Sequence, residues 1–308
     1  MTMRWGAVIA AAGRGERFGR AKQFVEIAGL PMLGWSIRAF AQMEEIAEIV
    51  VVTEQPLVSD AEELLVQLAP DRAARVVVGG ATRQDSVRRG VRTLGERVEA
   101  ILVHDGARPL VRPSTVRAGM QQVRPGRGAV LAAPVIDTIK EVDSATLRVK
   151  STLERKELWA AQTPQLAMLA DFVRAYEREE PATDDTTLLE RVGVEVVVVP
   201  SRQANFKVTV PEDVALAEVV LRERLDRAYP DPAAMLVEVF SRLDLVDAVC
   251  RELERRGGHI DGIERDLPRG VAVRAYIEAD RLRDFETSFV PLADGSATLT
   301  VHNTGGIA

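Results

Sequence analysis

Residues 5–24 read WGAVIAAAGRGERFGRAKQF: a short apolar run, then a stretch from 10 to 24 holding three glycines and four cationic side chains. A chain of formal net charge −6 has no general use for so positive a loop, so the reason must be local. A glycine loop that leaves the carboxyl end of a strand presents successive backbone N–H groups, which suit phosphate oxygens. Two familiar versions are excluded by the residues themselves. The dinucleotide pattern G-x-G-x-x-G would need glycine where Phe18 stands, and the P-loop needs Gly-Lys-Ser/Thr where this loop has Gly19-Arg20-Ala21.

Outward from this loop, strand-like runs alternate with segments of helical period as far as about residue 225. EIVVVTE (48–54), ARVVVGG (74–80), AILVHDGARP (100–109) and GAVLAAPVIDTI (128–139) are nearly continuous in Val, Ile, Leu and Ala. Strands of that kind belong to a parallel sheet covered on both faces. Between them PMLGWSIRAFAQM (31–43), SDAEELLVQLA (59–69), RQDSVRRGVRTLG (83–95) and a segment after Ser114-Thr115 read as helices, Met32, Trp35, Ile37 and Phe40 sharing the apolar face of the first. The alternation predicts an α/β fold with a doubly wound, mostly parallel sheet, whose ligands lie outside the carboxyl ends of the strands. Residues 137–158 break the rhythm with polar and β-branched residues in near alternation, and predict a two-stranded β-arm projecting from the sheet. The chain then returns as strand, loop and helix over 194–225, with Pro211 at the helix start and Glu212 and Asp213 in its first turn.

DRAYPDPAA (226–234) carries two prolines and marks a boundary between domains expected at 1–228 and 233–308. Beyond it, strand (236–240), helix (243–256), strand (259–264), strand (271–277), helix (280–290) and strand (296–302) give the order of a small ferredoxin-like α+β domain. Residues 231–308 have 14 acidic and nine basic residues, a net of −5.

With 46% hydrophobic and 28% charged residues in 308, the composition is that of an ordinary globular protein. The single cysteine, Cys250, rules out an intrachain disulfide framework and fits a reducing compartment. It falls on an apolar helix face and reads as core. No apolar run approaches the roughly eighteen residues of a membrane span. These features predict a cytoplasmic protein without a membrane segment, and the acidic balance opposes non-specific nucleic-acid binding.

The loop pattern A-A-G-x-G-x-R-x-G followed by Lys-Gln, read together with VHDGARP (103–109), APVIDTIK (133–140), WAAQTPQ (159–165), ATDDTTLLE (182–190) and NFKVTVPED (205–213), resembles the 2-C-methyl-D-erythritol 4-phosphate cytidylyltransferase family from about residue 5 to 227. The family has a nucleotide-diphospho-sugar transferase-like fold. One departure is visible: Ala21 stands where the family commonly has proline before Lys22-Gln23.

The resemblance implies transfer of a cytidylyl group from CTP to a polyol phosphate, with release of pyrophosphate. Such a reaction sets one anion against another. The protein must orient both and neutralise the growing charge, which calls for cations and not for an acid–base pair. By resemblance Arg17 and Lys22 hold the triphosphate, Lys207 positions the attacking phosphate, and Asp105 helps hold Mg2+. Ala11, Ala12, Gly13, Gly15, Gly80 and Ser86 meet the nucleotide. Thr138 and Arg155, on the arm, reach the acceptor in the partner's site of a homodimer. His104 reads as a structural hydrogen-bonder, and Asp184 and Asp185 as caps of the helix that follows. Ribitol 5-phosphate is the alternative acceptor. Residues 233–308 resemble the last domain of elongation factor G, through Arg255-Arg256-Gly257 and Ile260-Asp261-Gly262; a packing or oligomerisation module, or a non-catalytic scaffold using that domain, are the further readings.

Overall fold

Alternate residues along the central strands point to opposite faces, and each set finds a helix layer. The computed structural model describes residues 3–13, 18, 21–178, 180–228, 234–241, 249–250, 252–253, 259–266, 270–278 and 298–302. It divides into two units, Met1–Val220 and Leu221–Ala308.

In the first unit β1 (Trp5–Ala10) leads through the glycine loop and a small hairpin, β2 (Glu26–Ile27) and β3 (Leu30–Pro31), to α1 (Met32–Ala41). There follow β4 (Ile46–Thr53), α2 (Val58–Leu68), β5 (Ala73–Val78), α3 (Arg83–Arg92), β6 (Ala100–Asp105), α4 (Pro113–Met120) and β7 (Arg127–Pro134). The arm is β8 (Lys140–Val142) and β9 (Val149–Thr152). After it come β10 (Trp159–Met168), α5 (Leu169–Tyr176), α6 (Asp185–Arg191), β11 (Glu195–Pro200) and α7 (Pro211–Ala228), the last of which runs past Val220 into the second unit. The seven-stranded sheet has the order β11-β7-β10-β6-β1-β4-β5. Every pairing in it is parallel except those of β10, which lies antiparallel between β6 and β7.

Ala7, Ile9, Ile49, Val51 and Leu102 pack with Leu33, Ile37 and Phe40 of α1, Leu64 of α2 and Val116 of α4. Their neighbours Val8, Val50, Val52, Ile101 and Val103 pack on the other face with Val87 of α3, Phe172 and Tyr176 of α5 and Leu188 of α6. This is the covering of both faces that continuous apolar strands require. Helix α3 lies close because of Gly90, where a Cβ would stand 2.7 Å from a Val52 methyl and 2.8 Å from one of Val8.

Two details differ from expectation, and one strand was not anticipated. WAAQTPQ is the start of β10, whose antiparallel course no local pattern announces. Helix α4 begins at Pro113, ahead of Ser114-Thr115, because proline is suited to a first turn whose N–H groups have no helical partner. Trp35 is only half-buried and its Nε1 donates to the Ile27 carbonyl at 2.7 Å, while Leu33 takes the core position. The arm forms as an antiparallel pair, Lys140 facing Thr152, with nearly all its residues exposed.

In the second unit β12 (Ala234–Ser241), β13 (His259–Asp266), β14 (Gly270–Glu278) and β15 (Thr298–His302) form one antiparallel sheet in the order β13-β14-β12-β15. Of the helix expected over 243–256, residues 249–250 and 252–253 are described and are helical, with Val249 and Leu253 buried. The helix expected over 280–290 lies outside the described residues.

Candidate functional site

A cleft of about 820 Å³ opens across the carboxyl ends of four adjacent strands, β6, β1, β4 and β5. Of the candidates, Ala12, Gly13, Lys22, Gly80, Ser86, Asp105 and Lys207 line it. Ala11 is buried beneath, tied to Gln23 through its carbonyl. Gly15 and Arg17 lie outside the described residues. Thr138 and Arg155 stand exposed on the arm and are not among the cleft's lining residues; the Arg155 guanidinium donates to the Ile136 carbonyl at 2.6 Å.

The loop is held from below. Gln23, 2% exposed, donates through Nε2 to the carbonyls of Ala11 and Gly13, both at 2.6 Å. That fixes where the loop leaves β1. Ala21 has φ −64°, the angle a proline ring would impose, so the family's proline is absent while its conformation is kept. Lys22 then reaches across to donate to the Val208 carbonyl at 2.9 Å, which brings it to the segment carrying Lys207. That segment is itself pinned: Val208 N donates to the Ala107 carbonyl, and Asn205 Nδ2 donates to Gln162 Oε1 and to the Thr163 carbonyl.

The opposite wall is a turn that only glycine can line. A Cβ on Gly79 would lie 2.5 Å from the Ala12 Cβ, and one on Gly80 would strike the Asp85 Cβ. Ser86 Oγ accepts from Gly80 N at 3.0 Å and donates to the Thr82 carbonyl at 2.9 Å, so its hydroxyl shapes this turn. Thr82 caps α3, its hydroxyl oxygen accepting from Asp85 N and its hydroxyl donating to Asp85 Oδ2.

Arg83, the first residue of α3, was not singled out by sequence, yet it lines the cleft and organises its charges. Its Nη1 and Nη2 meet the two oxygens of Asp185 at 2.9 and 2.8 Å, and its Nε meets Asp105 Oδ1 at 2.9 Å. The other oxygen of Asp105 takes Lys207 Nζ at 2.9 Å, with Arg108 Nε at 4.0 Å. Burial alone would raise the Asp105 carboxyl, but the Arg83 and Lys207 charges override it and hold the group well below the usual carboxylate range. Burial likewise works against the Arg83 charge, and Asp185 and Asp105 outweigh it.

The acidic pair of ATDDTTLLE divides its labour. Asp184 is a cap, accepting from Thr187 N at 2.8 Å and from the hydroxyls of Thr186 and Thr187. Asp185 is not: its carboxylate is committed to Arg83 and to the Tyr176 hydroxyl. The signal was present in principle, since one acidic residue suffices to cap and the second had no helical task.

His104 is fully buried beside Asp105. Its Nε2 faces the Arg108 carbonyl at 3.1 Å, which can only accept, so Nε2 carries the proton. Nδ1 therefore accepts from the Thr163 hydroxyl at 3.0 Å, and that oxygen in turn accepts from Asp105 N. Burial drives the imidazole down to about 4, and a protonated ring would take away the acceptor that the Thr163 hydroxyl uses. The folded-state value lies below the free value of about 6.5, so the unfolded chain binds the extra proton first. Stability from this group is full above about pH 6.5 and is lost as pH falls toward 4. Urea midpoints of the wild type should fall across that window, and those of a His104→Gln variant should fall less.

The sequence profile of the 2-C-methyl-D-erythritol 4-phosphate cytidylyltransferase family matches residues 6–223. The enzyme of that name from Halalkalibacterium halodurans is 38% identical over 228 residues, 72% of this chain and 99% of its own. The one from Streptomyces coelicolor is 43% identical over 238 residues, 73% of this chain and 88% of its own. Among solved structures, the 4-diphosphocytidyl-2C-methyl-D-erythritol synthase from Anaerococcus prevotii is 28% identical and superposes with a TM-score of 0.64, covering 71% of this chain and 96% of that one.

Proposed function

The chain belongs to the 2-C-methyl-D-erythritol 4-phosphate cytidylyltransferase family, and from that premise we propose how its own residues carry the reaction. It transfers a cytidylyl group from CTP to 2-C-methyl-D-erythritol 4-phosphate, releasing pyrophosphate, in isoprenoid precursor synthesis. The observation that carries this reading is the meeting of Lys22, Lys207, Arg83 and Asp105 at the carboxyl ends of β1 and β6, beside a turn narrow enough to demand glycine.

The acceptor's phosphate monoester attacks the α-phosphorus, and the bond to the pyrophosphate oxygen breaks. Negative charge then crowds around one phosphorus. Lys22 and Lys207, which both line the cleft, balance it, while Gly13 and Gly15 offer backbone N–H groups to the triphosphate. Arg17 adds a guanidinium from the same loop. Ala11, Ala12, Gly80 and Ser86 shape the nucleoside end. No proton has to be moved, in keeping with a His104 whose two ring nitrogens are occupied by the Arg108 carbonyl and the Thr163 hydroxyl.

The donor set suits magnesium bound mainly by phosphate. Among the described residues no group of three or more His, Cys, Asp or Glu side chains is placed to hold a metal. A magnesium ion that takes one carboxylate and fills its remaining positions with phosphate oxygens and water needs no such group. Asp105 would supply that carboxylate, and the ion would neutralise charge on the pyrophosphate as it leaves.

Thr138 and Arg155 do not line the cleft of their own chain, and the arm exposes Leu147 and Val149 at 78% and 60%, with Ile136 just before it at 65%. Apolar exposure on that scale supports a homodimer in which each arm covers the partner's cleft and presents these two residues to the acceptor. For residues 233–308 the reading is a ferredoxin-like module used in packing or assembly; among the described residues, the order β13-β14-β12-β15 supports the fold. No helix among the described residues is long and apolar enough to cross a membrane, and a cytoplasmic setting accords with the CTP the reaction consumes.

Pyrophosphate release is the test, measured with CTP, Mg2+ and either 2-C-methyl-D-erythritol 4-phosphate or ribitol 5-phosphate. Turnover with the first, at least about tenfold above the second in kcat/KM, is expected. Preference for ribitol phosphate, or no release with either, overturns the assignment.

A further inference from the structure

Asp185 occupies an unusual position for a residue that does not itself line the cleft. It is 1% exposed, and its carboxylate takes both terminal nitrogens of Arg83 and the Tyr176 hydroxyl. Taking a carboxylate and a guanidinium out of water costs about as much as their pairing returns, so such a pair is poorly explained by stability alone. Capping does not explain it either, because Asp184 already serves α6. The chain of contacts that starts at Asp185 is informative. A bidentate pairing fixes the plane of a guanidinium as well as its place. With its outer nitrogens so held, Arg83 has Nε left, and this meets Asp105 Oδ1. Asp105, oriented through that oxygen, offers Oδ2 to Lys207.

We propose that Asp185 is a positioning residue for cytidylyl transfer, acting through Arg83 and Asp105 to set where the Lys207 ammonium stands. The statement rests on the functional reading above and extends it to a motif that reading leaves without a role. Tyr176 belongs to the same device: its hydroxyl orients the carboxylate, while its ring stacks on Phe172 with centroids 6.0 Å apart. Without the Asp185 anchor the guanidinium can rotate about its own stem and take Asp105 with it. The ammonium then samples a range of positions in place of one. Misplacement by about 1 Å is enough to cost on the order of a hundredfold in rate. Ground-state binding of the triphosphate, shared among many loop amides and cations, is hardly altered.

A double-variant cycle on the full chain tests this, run with whichever polyol phosphate the wild type turns over, so that a failure of acceptor identity and a failure of this proposal remain separate. Asp185→Asn should lower kcat about 10- to 50-fold with KM for CTP changed less than about threefold. Arg83→Met should lower kcat further, and adding Asp185→Asn to it should bring no additional loss, because the carboxylate then has nothing to position. Tyr176→Phe keeps the ring packing and should cost a few-fold in kcat in the wild-type background and nothing in Arg83→Met. If Asp185→Asn fails to fold, the Tyr176→Phe pair decides the matter. Wild-type kcat in Asp185→Asn overturns the proposal, and so do losses that multiply with Arg83→Met or a Tyr176→Phe effect that persists in that background.

Discussion

Replacement of Lys207 by alanine is expected to lower kcat by about two to three orders of magnitude while leaving the fold and the binding of CTP nearly intact. The size follows from what the ammonium does. Removing one preorganised group aimed at developing charge costs roughly 10²–10³ in turnover. Charge grows at the α-phosphorus only as the acceptor arrives, so the loss falls on kcat more than on KM. The fold survives because the Lys207 side chain is 39% exposed and Asp105 keeps its hydrogen bond from Arg83. Lys22→Ala should show a loss of similar size, with more of it in KM for CTP, since Lys22 lies at the root of the loop proposed to hold the triphosphate. Arginine is a poor replacement at either site. A longer, planar guanidinium places its charge differently from a compact ammonium that meets a single carbonyl or carboxylate oxygen. Initial rates over a matrix of CTP and acceptor concentrations separate the two parameters, and near-wild-type kcat in Lys207→Ala contradicts the role given to it.

How far the sequence could anticipate this site depended on the range of each signal. The apolar runs of β1, β4, β5 and β6 are legible because burial on both faces leaves a continuous local pattern. Lys22 and Lys207 are legible through motif resemblance, although 186 residues separate Lys22 from the Val208 carbonyl it meets. Arg83 and Asp185 were not, because each is defined by the other across 102 positions and neither stands out in its own segment. An arginine at the start of an arginine-rich helix looks like solvated surface, and an aspartate beside a capping aspartate looks like a second cap. Strand β10 escaped for a related reason: its antiparallel insertion between β6 and β7 is set by partners on both sides and not by its own periodicity.

Asp105→Ala is the substitution for which stability and activity should fall together. Asp105 is 7% exposed and joins two cations whose side chains are about a third exposed. Breaking a buried pair by removing one partner costs about 3–5 kcal/mol. Solvent reaching Arg83 and Lys207 lowers that figure here to on the order of 2–3 kcal/mol. Turnover should drop by about 10² or more, because Lys207 loses its seat at the same moment. Asp105→Asn keeps the shape and one acceptor oxygen, and should recover part of the stability and little of the rate. The pH dependence identifies the cause. The folded carboxyl lies below its unfolded value of about 3.9, so its contribution is full above that value and fades as pH falls beneath it. The stability gap between wild type and Asp105→Asn should therefore stay constant from neutral pH to about 5 and close only below about 4. The His104 loss, which begins near pH 6.5, comes first and is common to both proteins. A gap that instead widens on acidification, measured by urea unfolding, would mean that Asp105 is held by something other than the Arg83 and Lys207 charges.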